Sequence, residues 1–343
     1  EKKTKKGSQY IVSGGDSDPQ INIALKAKFE RDFGIILKDL YNLSESEIFI
    51  RKAIDLNPYF EEAYNNLSIV LKDLGRFKEA LDCINKAIDI NPNFEKSYFN
   101  LSLLELLVGN YESGLHHYEY RLKQKESSLF SADHALRRRF NHKLKEGEKI
   151  LILSEQGAGD VIQFMRYLLV LKKANLEIIF CAPKKLHSLI KDSGIHEDPI
   201  TPEEYSLYRN YEWIPLLSLL YYFSVSPQNP VINTPYISTK LILKEKWKNI
   251  LENENRPIVA INWQGSKKLE ESGYIGRSVP LKKFGKILEK NDISFLSLQK
   301  GYGSEQVYDC GFKDKFVRCQ TQVDNTWDYS ESVAIIQNCD LVI

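Results

Sequence analysis

The clearest periodicity in the chain lies in residues 63–96, which read AYNNLSIVLKDLGRFKEALDCINKAIDINPNFEK. The dipeptide Asn91-Pro92 near the end of this stretch also occurs 34 residues earlier as Asn57-Pro58, and the segments before the two dipeptides, NKAIDI and RKAIDL, match. A fixed period of this length indicates a solenoid built from short structural repeats. The period predicts three units without gaps, at residues 29–62, 63–96 and 97–130.

Each unit has the pattern of two amphipathic helices. In the middle unit, apolar and small residues recur at steps of three and four, which is helical spacing: Tyr64, Leu67, Ser68, Leu71, Ala80, Ile84 and Ala87. Gly75 is expected to turn the chain, and Pro92 to end the second helix because proline cannot continue one. The pattern resembles the tetratricopeptide repeat. The outer units depart from it, with Tyr41 in place of the turn glycine and Glu126 in place of the proline.

One polar position recurs in all three units, as Asp32, Asn66 and Asn100. Equivalent first-helix positions of stacked repeats line a concave groove. Protein O-GlcNAc transferases, which this arrangement resembles, use an asparagine ladder there to hold a peptide backbone, and an amide offers both a donor and an acceptor. The resemblance implies a groove for a protein, peptide or glycan acceptor. The alternative is a polar ladder that is merely solvated.

Composition excludes several partners. The 47 basic and 46 acidic residues leave a net charge of +1, which gives no electrostatic reason to expect nucleic acid or an anionic membrane as the main partner. No apolar run reaches the length of roughly 18 residues that a membrane span needs. The five cysteines are scattered without metal-ligand spacing, which predicts reduced thiols in a cytoplasmic protein.

A different pattern follows the repeats. Residues 149–154 form an apolar run of strand length, residues 156–159 a glycine turn, and residues 161–171 a helical pattern; a second strand at 176–182 and a second helix at 183–193 come next. This alternation predicts a doubly wound parallel sheet. Gly157 and Gly159 would let a ligand approach the backbone at a helix N-terminus. Asp160 is expected to open that helix, either as its capping residue or as a catalytic residue.

Residues 152–168, ILSEQGAGDVIQFMRYL, resemble the EQGxGDxIQFxRY segment of bacterial tetratricopeptide-repeat glycosyltransferases, whose catalytic region is similar to lipopolysaccharide heptosyltransferases. Further resemblances follow in the family's order: YESGLHHYEYR (111–121), INWQGS (261–266), GRSVPL (276–281), FLSLQ (295–299) and WDYSESVAIIQNCDLVI (327–343). Two departures stand out. The family's WAGNP has become WQGSK, and Tyr274-Ile275 replace an acid-arginine pair.

The resemblance covers residues 110–343 and implies a GT-B fold, in which two Rossmann-like lobes follow the helical solenoid. We expect a segment at 1–28 that is partly flexible or helical, a linker at 131–147, a first lobe at 148–253 and a second lobe from 254. The family's next motif, S-x-D-T-x-x-x-H-L-A-G, would begin after Ile343. We therefore expect an incomplete second lobe at 254–343 and weak binding of nucleotide sugars.

The reaction implied is transfer of a sugar from a nucleotide-sugar donor to an acceptor hydroxyl, with inversion. By the resemblance, Asp160 is the base. The leaving diphosphate needs helix N-termini or positive charge, which makes Gly157, Gly159 and Arg277 candidate donor or phosphate contacts, with Lys300 and Lys268 as weaker ones. No cofactor or metal is expected. An aromatic run would either stack on sugar rings or pack in the core: Tyr208, Tyr211, Trp213, Tyr221 and Tyr222. Two alternatives remain, a repeat scaffold fused to an inactive transferase domain and a sugar-nucleotide epimerase.

Overall fold

The computed structural model describes residues 19–123, 143, 145–208, 211–232, 234–267, 278–288 and 292–343. The chain divides into two compact units, residues 1–127 and 128–343. The described part of the first unit is helical, whereas the second unit contains two small parallel sheets.

The described part of the first unit consists of three consecutive helix pairs. The helices are α1 (Pro19–Asp39), α2 (Leu43–Leu56), α3 (Glu61–Asp73), α4 (Phe77–Ile90), α5 (Glu95–Leu107) and α6 (Tyr111–Tyr118). Each first helix contacts its own second helix, and α2 and α4 also contact the first helix that follows them. This is the solenoid that the 34-residue period predicts.

Small and branched apolar residues hold the helix pairs together. Ile50, Ala53, Leu67, Ala80 and Ile84 are fully buried in one cluster that extends from α2 to α5. Small side chains at positions such as Ala53 and Ala80 let neighbouring helices approach closely, as the sequence pattern predicts.

The turn after each first helix has the same left-handed backbone. Gly75 and Gly109 have φ angles of 76° and 90°, and Tyr41, at the equivalent position of the first repeat, has a φ of 62°. A residue in this conformation commonly ends a helix, and glycine adopts it without steric cost. The turn of the first repeat is therefore preserved although its glycine is not.

The first sheet of the second unit has the order β2-β1-β3, with parallel pairing throughout. Its strands are β1 (Lys149–Leu153), β2 (Glu177–Cys181) and β3 (Glu212–Pro215). The α-helices of this region are α7 (Ala158–Phe164), α8 (Leu168–Lys173), α9 (His187–Asp192), α10 (Ser218–Tyr222) and α11 (Leu241–Leu251). The second strand lies on one side of β1 and the third on the other, so the topological switch point is between β1 and β3. In open parallel sheets, ligands bind at the carboxyl ends of the strands beside such a switch point.

The second sheet repeats this plan with the order β5-β4-β6, again parallel. Its strands are β4 (Ile258–Ile261), β5 (Ser294–Ser297) and β6 (Leu341–Val342). The α-helices are α12 (Gly285–Leu288), α13 (Gln306–Asp309), α14 (Gln320–Asp324) and α15 (Tyr329–Ile336). Alternate residues of β4 belong to two different buried clusters, so both faces of the sheet are covered, as is typical of parallel sheets.

The helix predicted at residues 161–171 is interrupted. α7 begins earlier, at Ala158, and a 3₁₀ turn at Met165–Tyr167 separates it from α8. The hydroxyl of Tyr236 donates to the carbonyl oxygens of Ile162 (2.8 Å) and Gln163 (3.2 Å), and Arg166 Nε donates to Gln163 at 2.7 Å. These side chains occupy the carbonyls that a continuous helix would use at this point.

The aromatic run predicted as a possible sugar platform contains a strand that the sequence pattern did not indicate. Glu212–Pro215 forms β3, and Trp213 is buried in a cluster with Leu151, Leu153 and Ile200. Tyr208 and Tyr211 pack against the same cluster in an edge-on pair. Trp213 therefore belongs to the core. Of the five aromatic residues in this run, only Tyr221 is exposed.

The five cysteines are all free thiols. Burial raises the pKa of Cys181 and of Cys319 to about 12. A thiol with such a pKa stays protonated near neutral pH and is a poor nucleophile and metal ligand.

Candidate functional site

The three residues of the polar ladder lie on α1, α3 and α5 and are all half-buried. Asp32 Oδ1 accepts a hydrogen bond from Arg31 Nε at 2.8 Å, and Asn100 Nδ2 donates to Asn65 Oδ1 at 2.8 Å. Asn66 makes no side-chain hydrogen bond with any residue that the structure describes. Of the three, Asn66 is thus the one whose amide is available to a ligand.

Asn65 was not predicted from the sequence. Its side chain is buried on α3, and its Oδ1 accepts from both Asn100 Nδ2 and Ser97 Oγ, the latter at 3.3 Å. It thereby joins α3 to α5, because a buried amide must find partners. The sequence does contain a hint of this role. Asn65 is an amide directly before Asn66, whereas the equivalent residues of the other repeats are Arg31 and Phe99.

The glycine turn lies at the carboxyl end of β1. The backbone N–H of Gly157 donates to Asp160 Oδ2 at 3.0 Å, and α7 begins at the next residue, Ala158. Asp160 is therefore the third residue of the helix, where its carboxylate satisfies a backbone donor and lies near the positive end of the helix dipole. The capping position belongs to Gly157, so the expectation that Asp160 caps the helix is wrong, although its carboxylate supports the helix start from the first turn.

Neither predicted glycine is required by the local backbone. The left-handed residue of the turn is Gln156, with a φ of 67°, whereas Gly157 has φ −80° and ψ 170°. A Cβ atom at Gly159 would meet no other atom within 4 Å. Gly159 costs a helix roughly 0.5–1 kcal/mol relative to alanine, and no packing contact in the described structure requires it.

Glu155 is a second residue that the sequence analysis missed. It directly follows the apolar run of β1, yet its side chain is buried, and its Oε1 accepts from the backbone N–H of Leu217 at 3.2 Å. This bond joins the loop after β1 to the segment after β3. Glu155 thus fixes the edge of the first sheet at which the strand order changes direction.

A pocket of about 420 Å³ lies at the carboxyl end of β5 in the second sheet. This volume is in the range of small-molecule sites. Its lining combines two lysines with hydroxyl, amide and aromatic groups, including Lys300, Lys313, Ser297, Gln320, Asp324, Tyr308 and Trp327. Trp327 and Tyr308 are largely exposed at its rim, and Lys313 Nζ lies 4.4 Å from the centre of the Tyr308 ring.

Lys300 is the predicted donor contact that the structure places in this pocket. Its ammonium donates to the carbonyl oxygen of Val323. Burial lowers the pKa of Lys300 below its usual value, and the carboxylates of Asp324 and Glu331 oppose that shift. A half-buried cation of this kind attracts an anionic group more strongly than one in bulk water, because water screens it less.

Glutamine side chains hold the loops around this end of the second sheet. Gln299 Oε1 accepts from the N–H of Gln264 at 3.0 Å, and its Nε2 donates to Tyr302 O at 2.7 Å. Gln306 Nε2 donates to Gln264 Oε1 at 3.0 Å. Gly303 has a φ of 90°, and a Cβ there would lie 2.6 Å from Gln264. The loops after β4 and β5 are therefore closely packed and mutually fixed.

The predicted site residues thus fall into three groups. Gly157, Gly159 and Asp160 share one turn of the first sheet, Lys300 lies at the second sheet, and the ladder lies in the first unit. Arg277 and Lys268 lie outside the described residues.

Within the described ranges there is no group of three or more histidine, cysteine or acidic residues that could hold a metal ion. In the same ranges no helix combines the length and apolarity needed to cross a membrane.

Comparison with known proteins identifies one segment. Residues 61–94, which comprise α3 and α4, match the family model described as "Tetratricopeptide repeat". The match covers both helices of the middle repeat predicted from the sequence. Such repeats stack into solenoids with extended binding surfaces. The comparison with curated proteins returned no match.

Solved tetratricopeptide-repeat structures resemble part of this chain, and each comparison covers 30% of it. The "TPR2B-domain:pHsp70-complex of yeast Sti1" is 24% identical, with 86% of that chain covered and a TM-score of 0.29. The "Arabidopsis OM64 TPR domain" is 17% identical, with 85% covered and a TM-score of 0.29. The first TPR domain of human RPAP3 is 20% identical, with 80% covered and a TM-score of 0.29.

Proposed function

We propose that this protein is a glycosyltransferase that moves a sugar from a nucleotide-sugar donor to a hydroxyl group of a protein or glycan acceptor, with inversion. The observation that carries the proposal is the pocket beside Lys300 at the carboxyl end of a parallel sheet. Its two lysines suit a diphosphate, its hydroxyl and amide groups suit a sugar, and Trp327 and Tyr308 offer aromatic faces to a base or a sugar ring.

The proposed chemistry is a single displacement. The acceptor oxygen forms a bond to the anomeric carbon while the bond from that carbon to the diphosphate oxygen breaks. Asp160 takes the proton of the acceptor hydroxyl. Its Oδ2 accepts from Gly157, whereas its Oδ1 has no hydrogen bond among the described residues and is free to act as the acceptor. Lys300 and Arg277 offset the negative charge that develops on the leaving diphosphate.

Substitution of Lys300 tests the donor site. Nucleoside diphosphates are expected to bind weakly to the wild-type chain, and Lys300→Ala should weaken that binding about tenfold, because one charge-assisted contact to phosphate contributes roughly 1.5–3 kcal/mol. Saturation-transfer NMR detects such weak binding. Lys282→Ala, which removes an exposed lysine outside the pocket, is the matched control. Equal binding by wild type and both variants would place the donor site elsewhere.

A second candidate function is a repeat scaffold with an inactive transferase-like unit. It is favoured by two observations: the family match covers only repeat residues, and the carboxylate of Asp160 already has a structural role at the start of α7. The two candidates share one element, a repeat surface that binds an extended peptide segment. They differ in whether a sugar nucleotide is consumed, so release of nucleoside diphosphate from a panel of donors distinguishes them.

Asn66→Ala tests the shared element. On an array of serine- and threonine-containing peptides, the best-bound peptide is expected to lose about fivefold in affinity, since one lost hydrogen bond costs about 1 kcal/mol. Stability should not change, because the Asn66 amide makes no bond within the described structure. Asn93→Ala, in the exposed turn before α5, is the matched control. Asn100→Ala would be a poor test because it also breaks the bond to Asn65.

A further inference from the structure

The first helix of the solenoid exposes a continuous apolar face. Leu25, Phe29, Phe33 and Ile36 on α1, with Leu40 directly after it, follow one another at steps of four, four, three and four residues. This spacing places them on one side of a helix. They are 63%, 66%, 37%, 53% and 72% exposed, and the rings of Phe29 and Phe33 lie parallel with centroids 6.3 Å apart. We call these five residues the α1 stripe.

The α1 stripe occupies the positions at which the repeats pack on one another. Its residues Phe29, Phe33 and Ile36 correspond, 34 residues later, to Ala63, Leu67 and Val70 of α3, which are 0%, 1% and 0% exposed. The next equivalents on α5 are Ser97, Leu101 and Leu104, which are also buried. In α3 and α5 this face is covered by the second helix of the preceding repeat. Within the stripe, Phe33 packs edge-on against Phe49 of α2, with ring centroids 4.7 Å apart. No helix among the described residues covers the α1 stripe as α2 and α4 cover the equivalent faces of α3 and α5.

Two features of α1 show that its partner differs from an ordinary second helix. First, α1 has 21 residues, whereas α3 and α5 have 13 each and the second helices α2 and α4 have 14. Second, α1 has Phe29 where the stacked helices have the small residues Ala63 and Ser97, which permit close approach. The face thus suits a long helix held further away, with large side chains that interdigitate.

We propose that the partner is a second copy of this chain, with α1 packed antiparallel against α1 about a two-fold axis. The α1 of a second copy is equally long, so it can cover the whole stripe, and the large side chains of one stripe meet the same large side chains of the other. Lys28 and Asp39 are both exposed and lie eleven residues apart, about three turns, on one side of the stripe. Asp39 pairs with Lys38 of its own helix at 3.0 Å, and its exposed carboxylate can pair with a second lysine as well. An axis near Phe33 brings Lys28 close to Asp39 of the partner subunit. The opposed helix dipoles favour the same orientation.

The expected dimer is weak. A single helix face buries less than the roughly 800 Å² per partner of a typical stable interface. Self-association through one face of each copy closes at two subunits, because each copy uses its only α1 stripe.

Sedimentation velocity of the 343-residue chain tests this proposal. From micromolar to near-millimolar concentration, the wild-type mass is expected to rise from 39.7 kDa towards twice that value. Leu25→Glu/Phe29→Glu should weaken dimerisation by more than about tenfold, because charges replace apolar contacts. Tyr59→Glu/Leu107→Glu adds the same charge at two other exposed apolar residues of the first unit and should leave dimerisation unchanged. Circular dichroism checks that both variants keep their helices.

A charge exchange tests the orientation. Lys28→Glu alone should weaken the dimer, and Lys28→Glu/Asp39→Lys should restore it, since the pair is re-formed with its signs reversed. A wild-type chain that stays at 39.7 kDa throughout would overturn the proposal, as would equal dimerisation of the stripe and control variants. Dimers that lose affinity in the stripe variant, but not in Lys28→Glu, would overturn the antiparallel arrangement.

Discussion

Asp160→Asn is expected to lower the rate of sugar transfer by a factor of about 10² to 10⁴, the usual loss when a general base is removed. The same substitution should change the free energy of unfolding by less than about 1 kcal/mol. An asparagine oxygen can still accept the hydrogen bond from Gly157, and only the interaction of the charge with the helix dipole is lost. Release of nucleoside diphosphate and the melting temperature, measured on the same preparation, give the two quantities.

Asp160→Ala is the companion variant for this test. It removes the proton acceptor and the bond to Gly157 together, so it should lose the rate and also about 0.5–2 kcal/mol of stability. A normal rate in Asp160→Asn combined with reduced stability in Asp160→Ala would show that the carboxylate only supports α7. The catalytic base would then have to be another residue.

Trp247→Ala is expected to lower the free energy of unfolding of the second unit by about 3–5 kcal/mol, the usual cost of truncating a buried aromatic residue. Trp247 on α11 is fully buried among Leu251, Ile258 and Leu296, and its Nε1 donates to Glu331 on α15 at 3.1 Å. Its loss leaves a cavity between α11, α15 and the second sheet. Urea denaturation followed by tryptophan fluorescence measures the effect.

The fluorescence signal is specific to the second unit, because all four tryptophans (213, 247, 263 and 327) lie there. This matters since a chain of two units need not unfold in one step. Trp247→Phe keeps most of the buried volume and loses the bond to Glu331, so it should cost clearly less than the alanine variant. Equal losses in both variants would mean that the hydrogen bond, and not the packing, dominates.

The repeats and the strands predicted at 149–154 and 176–182 could be read from the sequence, because both depend on local patterns. The 34-residue period and the spacing of Leu67, Leu71 and Ile84 indicate which helix faces are buried. The apolar run at 149–154 indicates a strand that is covered on both sides. Lys300 was a weaker candidate for a phosphate contact, and the structure places it in a pocket.

The remaining features depend on contacts between residues far apart in the chain. At the break after Phe164, the hydroxyl of Tyr236, some seventy residues later, donates to two helix carbonyls. The side-chain hydrogen bond of Asn100 is made with Asn65, which belongs to the preceding repeat. β3 is only four residues long and ends in Pro215, so its short apolar stretch has no strand periodicity of its own. A local pattern contains none of this information.

The glutamine contacts after β4 and β5 also bear on how the second sheet would select a ligand. Gln264, Gln299 and Gln306 hold their loops in one arrangement through side-chain bonds, and Gly303 packs closely against Gln264. Loops that are already ordered lose little conformational entropy when a ligand arrives, and each side chain fixed beforehand spares roughly 0.5–1.5 kcal/mol. The same bonds would have to break before the loops could reshape. A ligand bound at this edge would therefore have to fit the loops as they stand, and selectivity would come from rigidity rather than from adaptation.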